Sequence, residues 1–480
     1  MTRGKPARDR AVDAGRGGRE GRLQGRLRVT RLWERGEALD PRIERFTAGD
    51  DPELDRRLVA HDAVASLAHA TMLHEIGVLD ASELAGLRRE LAAIAAEARA
   101  GRFEISRADE DGHTAIENRL TLALGEAGRK IHTGRSRNDQ VIAALRLWGR
   151  EALLDAAEAL LDLVERLLAL AREHRETSIP GYTHTRQAMP STLGHLFAAH
   201  AEGLLDAVPW LRAAFDHLDR SPLGSASGYG VPLPLDRARV AELLRFASVQ
   251  ENTLAVQNDR GRTEHLVLSA LAVPVSDAGR LAADLVAFSS DEHRFLKLAP
   301  EVTTGSSIMP QKRNPDVLEL VRAAAARLRA RAAEVAAVYA PLPSGYHRDL
   351  QLTKGPFVEG VELARDVFLA ARAALDGLTV DPERCRIAVL PTTAATDEVY
   401  RRVAAGTPFR DAYRAVASDP AAAVGGGGDD AAETWRRRTH IGAPGAPASG
   451  KDDDRLEEAR RWARRARERI DEIWDLLEEV

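Results

Sequence analysis

A chain of 480 residues exceeds what one small core organises, so two or three domains, or a large helical core with appendages, are expected. Its net charge of −5, with 29% charged residues, describes a solvated globular surface and lacks the basic bias of most nucleic-acid or membrane-surface proteins. The lone cysteine, Cys385, excludes an intrachain disulfide and suits a reducing cytosol.

In chain order, residues 1–28 are rich in arginine and glycine and poor in apolar residues, and read as a disordered extension without a secretory h-region. Helical patterning then dominates. Glu151 to His174 carries apolar residues at 153, 157, 160, 164, 167 and 171, with charges between them, which predicts a long amphipathic helix. Glu264 to Ser289 is similarly periodic, with Pro274 expected to kink it, and Val317 to Tyr339 is a third candidate. No uninterrupted apolar run reaches the ~20 residues of a membrane span. No strand–helix alternation appears, and neither "GYGVPL" nor "GGGGDD" fits a nucleotide-binding loop. The pattern predicts an all-α protein built on a bundle of long helices, whose wide apolar stripes suit association with other subunits. Asp419 to Gly450 reads as flexible connection, followed by a terminal helix docked through Trp462, Ile470, Trp474 and Leu477.

Between the helices lie polar islands: "EDGHTAIENR" (110–119), "IHTGRSRNDQV" (131–141), "IPGYTHTRQAMP" (179–190), "TTGSSIMPQKRNPD" (303–316) and "GYHRDLQLTK" (345–354). Singly, each has a plain structural reading. Ser136 or Asn138 could cap a helix, His184 could be a hydrogen-bonded core histidine, and Arg135 and Arg137 could be surface charges. The chain has only six lysines, however, and two of them, Lys312 and Lys354, fall inside islands where arginine is this sequence's habit. An ammonium does not replace a guanidinium fork, so that choice points to site chemistry.

Together the islands resemble the argininosuccinate lyase/δ-crystallin family of the fumarase/aspartase superfamily, from about Leu32 to Pro408. The resemblance implies a three-domain lyase fold, with an N-terminal helical domain at 29–134, a central long-helix domain at 135–384 and a small C-terminal helical domain at 385–480. It implies a homotetramer whose central helices form its core, and active sites each assembled from islands on three subunits. The implied reaction is cleavage of argininosuccinate to arginine and fumarate in the cytoplasm, without metal or organic cofactor and with neither nucleic acid nor membrane as partner. By position, Ser306 is the implied base, helped by backbone amides and Lys312. His184 is the general acid toward the departing nitrogen, and Glu319 orients it from another subunit, although acid and base roles can exchange with direction. Asn138, Thr183, Asn314 and Lys312 match succinyl-carboxylate positions, with Ser136 and Arg137 beside them. Tyr346, Gln351 and Lys354 match the arginine side, and His113 shapes the same pocket. The island at 303–316, with its glycine and prolines, is implied to be a catalytic lid.

Some positions depart from the family pattern. "FTAG" (46–49) stands where "FNAS" is usual, so the serine hydroxyl is missing, and the Gly49 amide or the Thr47 side chain is left to substitute. Thr185, Arg186 and Met189 replace a leucine and glutamines, and "LWERGE" replaces "LWGGRF". Two other readings stay open at this point. One is a superfamily lyase of adenylosuccinate or aspartate type. The other is an inert structural protein, as some δ-crystallins are.

Overall fold

Three of the longest helices run parallel, and a fourth lies antiparallel between two of them. The computed structural model describes residues 40–106, 109–421, 430–446 and 449–478. The extension 1–28 and the glycine run at 425–428 lie outside these residues. The principal elements are α1 (Val59–Glu75), α2 (Ala81–Arg99), α3 (Gly112–Leu124), α4 (Arg137–Glu173), β1 (Ser178–Thr183), β2 (Arg186–Thr192), α5 (Arg262–Phe288), α6 (Asp316–Tyr339), α7 (Lys354–Asp376) and α8 (Lys451–Glu478). The all-α expectation holds, since strands among the described residues form only two-stranded ladders.

Helix α4 begins 14 residues before the periodic stretch at 151, because Ser136 caps it. The Ser136 hydroxyl accepts the Asn138 N–H, and Asp139 returns a bond to the Ser136 N–H. Contacts along the helices fix their directions. Gly149 of α4 faces Phe357 of α7, and Asp162 O accepts from Arg372 further along both, so α4 and α7 run parallel. His265 meets Ala332 O and Ser276 meets Arg329, so α5 and α6 run antiparallel. Gly360 lets α7 approach α5, since a Cβ there would lie 2.4 Å from Leu268 Cδ2. Consequently α4, α5 and α7 start at one end of the bundle, here called the near end, and α6 starts at the other.

Helix α5 is long and apolar enough to cross a membrane by length and composition. Its Val267, Leu268, Leu271, Val275 and Leu285 are buried in the bundle core, which accounts for that composition. Helix α8 packs along α4 with Ile470 buried, Trp462, Trp474 and Leu477 partly buried, and Arg460 and Arg467 reaching the acids of α4. Part of the segment read as flexible is anchored. Residues 430–446 fold onto the β1–β2 hairpin, where Trp435 Nε1 donates to Ser178 Oγ at 2.9 Å and Arg438 to Pro190 O.

Candidate active site

The near end gathers one group of the expected residues. Asp111 caps α3, and at the helix's second residue His113 Nδ1 donates to Asp62 Oδ2 at 2.6 Å. Burial opposes the imidazolium, but the charge and hydrogen bond of Asp62 outweigh it and raise the His113 pKa. His113 Nε2 is buried without a partner. Arg137, in the first turn of α4, reaches Asp111, and its Nη2 is also buried and unpaired. The Asn138 side chain, half-buried beside it, makes no hydrogen bond among the described residues. Such unsatisfied donors at two helix N-termini are what a carboxylate ligand would satisfy.

The island at 345–354 closes the same end. Arg348 donates to Thr47 O and Glu110 Oε1, and Gln351 Nε2 donates to Thr47 O and Ala48 O at 3.0 and 3.3 Å. "FTAG" is thereby clamped against the island. Neither suggested substitute for the missing serine is an open donor: the Gly49 N–H donates to Arg45 O, and the Thr47 hydroxyl donates back to Ile43 O. Lys354 is not an open cation either. It is 2% exposed, and its Nζ lies 2.6 Å from Asp55 Oδ1 and 3.0 Å from Asp51 Oδ1. Burial would lower its pKa, but the two carboxylates raise it. Asp55 also accepts the Gly112 N–H at 2.9 Å, tying Lys354 to the start of α3. Tyr346 lies beside Arg260, whose guanidinium stands 5.8 Å from the ring centroid. Asp51, Asp55, Asp62 and Arg260 passed unremarked in the sequence, because each is a single charged residue outside the islands, with partners far along the chain.

The other expected residues sit at the far end. His184 and Thr185 form the two-residue tip of the β1–β2 hairpin, with Thr183 opposite Arg186. Both tip residues have positive φ, 51° and 60°, in a turn that favours Asn-Gly. Holding two non-glycine residues there costs about 1 kcal/mol or more each. The result is an exposed imidazole with no hydrogen-bond partner among the described residues. Gln187 fixes the hairpin's flank, donating to Ala388 O and accepting from Leu390 N.

The island at 303–316 is a loop pinched by a two-residue ladder, Thr304 to Asn314 and Gly305 to Arg313. At its start the Ser306 hydroxyl oxygen accepts the N–H groups of Met309 (3.1 Å) and Ile308 (3.4 Å). Two backbone donors on one hydroxyl oxygen favour its anionic form, as a serine base requires. Lys312 is exposed with no ion pair among the described residues, and Ile308 is 82% exposed. Glu319 lies exposed in the first turn of α6, with Arg322 at 4.0 Å.

Within one chain these groups do not meet. Lys354 opens α7 at the near end, whereas the Ser306 loop opens antiparallel α6, whose 24 residues span ~36 Å. The His184 hairpin follows the far end of α4, 37 residues from its cap. No hydrogen bond, ion pair or ring contact among the described residues joins the near-end group to either far-end group.

Comparison with known proteins follows the same lines. A sequence profile of the family described as "Lyase" matches residues 34–329. The chain is 47% identical over 415 residues to an argininosuccinate lyase of Sorangium cellulosum, covering 86% of this chain and 96% of that protein. It is 43% identical to one of Xylella fastidiosa, covering 87% and 93%. Among solved structures, EDDS lyase in complex with formate superposes with a TM-score of 0.76 at 26% identity, covering 92% of this chain and 95% of that one. A fumarate lyase:delta crystallin from Brucella melitensis shares the fold, with a TM-score of 0.63 at 20% identity, covering 77% and 90%. The chain is therefore a C–N lyase, a member of the argininosuccinate lyase family.

Proposed function

We propose that this protein cleaves argininosuccinate to L-arginine and fumarate in arginine biosynthesis, in the cytoplasm, as a homotetramer whose active sites draw groups from several chains. The observation that carries the shared-site reading is the placement of the binding islands and the reacting islands at opposite ends of an antiparallel bundle. A second copy offers the missing end. Helix α6 supplies a surface for it: Ala323, Ala326, Ala330, Ala333 and Ala337 are exposed at alternating steps of three and four, continued by Leu320 at 71% exposure. Small residues in that rhythm form a coiled-coil seam that brings backbones close together.

The chemistry then divides between the two ends. Elimination removes a weakly acidic proton beside a carboxylate and expels the guanidino nitrogen, so charge accumulates on the succinyl carboxylate. The Arg137 donors and the Asn138 amide at one end, with Thr183, Lys312 and Asn314 from the other, would stabilise that charge. Ser306 takes the proton, its alkoxide held by the amides of Ile308 and Met309, and the Lys312 cation adds to this. His184, oriented by Glu319, protonates the leaving nitrogen.

Incubating the purified protein with argininosuccinate while following fumarate absorbance tests the activity; arginine and fumarate should appear in equal amounts, with none from adenylosuccinate or aspartate. Turnover of adenylosuccinate alone would move the chain to another branch, and no turnover at all would favour the inert reading. For the shared site, mixing inactive Ser306→Ala and His184→Asn chains should restore some activity. Verified subunit exchange without recovery would remove that part.

A further inference from the structure

Several buried polar groups meet around one small cavity in the bundle core. The cavity lies where α4 passes the start of α5, and its volume of about 10 Å³ has room for one water and nothing larger. Arg146, Asp259, Arg260, Thr263 and Glu264 supply its polar wall, and the rest is apolar, Phe357 of α7 included. Arg146 Nε, Arg260 Nε and the Thr263 hydroxyl are each buried without a hydrogen-bond partner among the described residues. Their residues are 2%, 4% and 3% exposed, so bulk solvent does not serve them. Leaving three such groups unpaired costs far more than immobilising one water among them.

The partners already made show what is left over. Arg146 spends its two terminal nitrogens on Arg220 O, Gln250 and Asp259, which leaves its Nε–H. Asp259 is saturated, since it accepts from Arg146, Arg220, Gln250 and Arg262. Glu264 has lone pairs to spare: it accepts the Gly261 N–H at 2.6 Å, and a carboxylate offers about four acceptor positions. The leftover set is two N–H donors, one hydroxyl and one carboxylate.

That set selects the ligand. An ammonium needs acceptors and would meet two N–H donors. A halide needs donors alone and would meet the Glu264 carboxylate. A water accepts two hydrogen bonds and donates two. Two arginines and two acids also make the wall formally neutral, which suits an uncharged ligand. We propose that this cavity is a built-in water site, in which one molecule accepts from Arg146 Nε and Arg260 Nε and donates to Thr263 Oγ1 and Glu264.

The water ties α4 to the segment that opens α5. Arg260 carries the tie further, because its guanidinium stands 5.8 Å from the Tyr346 ring centroid. The orientation of the cation beside Tyr346 is thus set from the core side by the water. The site is independent of the proposed reaction.

A crystal structure of the full-length protein, at a resolution that shows ordered waters, tests the assignment. One sphere of density should lie within hydrogen-bond distance, about 2.7–3.2 Å, of Arg146 Nε, Arg260 Nε, Thr263 Oγ1 and a Glu264 oxygen. Crystals soaked in bromide should give no anomalous peak there. Crystals under xenon pressure should take up none at this place, because xenon enters apolar cavities that stay dry. Thr263→Val keeps the side-chain shape and removes one partner. Water occupancy should then fall by about half or more, and the melting temperature by about 1–2 °C, whereas Thr263→Ser should keep both. A cavity without density, a bromide or xenon peak, or both Nε groups bonded to protein acceptors overturns the site. Full water occupancy in Thr263→Val with an unchanged melting temperature overturns the four-partner assignment. The wild-type density decides even if Thr263→Val fails to fold.

Discussion

The two ends of the bundle handle polar side chains in opposite ways. At the near end His113, Lys354, Arg348 and Gln351 are locked to Asp62, Asp55, Glu110 and the Thr47–Ala48 carbonyls, and much of the group is buried. At the far end His184, Lys312 and Glu319 are exposed, and the Ser306 loop is held by its own backbone. Under the proposed function, the difference would separate binding from reaction. Groups that recognise a ligand gain from rigid preorganisation, which removes ordering costs on binding. Groups that move protons must first be accessible, and lids that close over substrate come from weakly held segments.

The sharpest way to break this contrast is to exchange its penalties. Ser306→Ala and His184→Asn should each reduce turnover by roughly 10²–10⁴-fold with the melting temperature nearly unchanged, because the His184 side chain is exposed and the Ser306 hydroxyl bonds only to amides of its own loop. Near-normal turnover in either would remove that residue from the mechanism. Asp55→Ala should do the reverse in kind, leaving the buried Lys354 ammonium with Asp51 as its one carboxylate partner and the Gly112 N–H without its acceptor. A loss of about 2–3 kcal/mol in denaturant unfolding is expected; a loss under about 1 kcal/mol would show that the near end is not interlocked through Asp55.

Acid should also affect the near end first. Burial, and then the nearby Arg135 charge, push the His69 pKa down to about 3, and His132 is lowered to about 4 by burial and by Arg135 and Arg137. Both remain neutral in the fold, while in the unfolded chain they take up protons below about 6.5. Stability should therefore be at its full value above that pH and fall as pH drops from about 6.5 toward 4. Chemical denaturation at stepped pH reads the slope, and His69→Gln should make it shallower by up to one proton. The smallest effect belongs to the hairpin tip: Thr185→Gly relieves a left-handed residue and should raise stability by at most about 1 kcal/mol. A decrease would mean that the Thr185 hydroxyl bond to His184 O outweighs the strain.

Much of this could be read in the sequence, for identifiable reasons. The long helices announced themselves because their contacts follow a single period, and the three stretches at 151–174, 264–289 and 317–339 all fall on observed helices. The start of α4 was obscured because its first turn, Arg137 to Gln140, is polar and carries no apolar period. Of the two suggested caps, Ser136 is the one used. The β1–β2 hairpin was not foreseen as strands, because Pro180 and Pro190 discourage that reading. They sit opposite one another in an isolated two-stranded ladder, where a missing N–H is tolerated. Asp51, Asp55, Asp62 and Arg260 escaped notice because a charge's role depends on what lies across the fold. Lys354 and Asp55 are 299 residues apart.

The antiparallel setting of α6 has a consequence for the quantity of protein a cell must make. Under the proposed assembly a lone folded chain is inert however well it binds arginine, since its reacting loop points away from its own pocket. Flux would then climb more steeply than protein abundance while chains are scarce, and become proportional to it only once association is complete. Serial dilution of the enzyme, with specific activity read at each step, would trace that crossover.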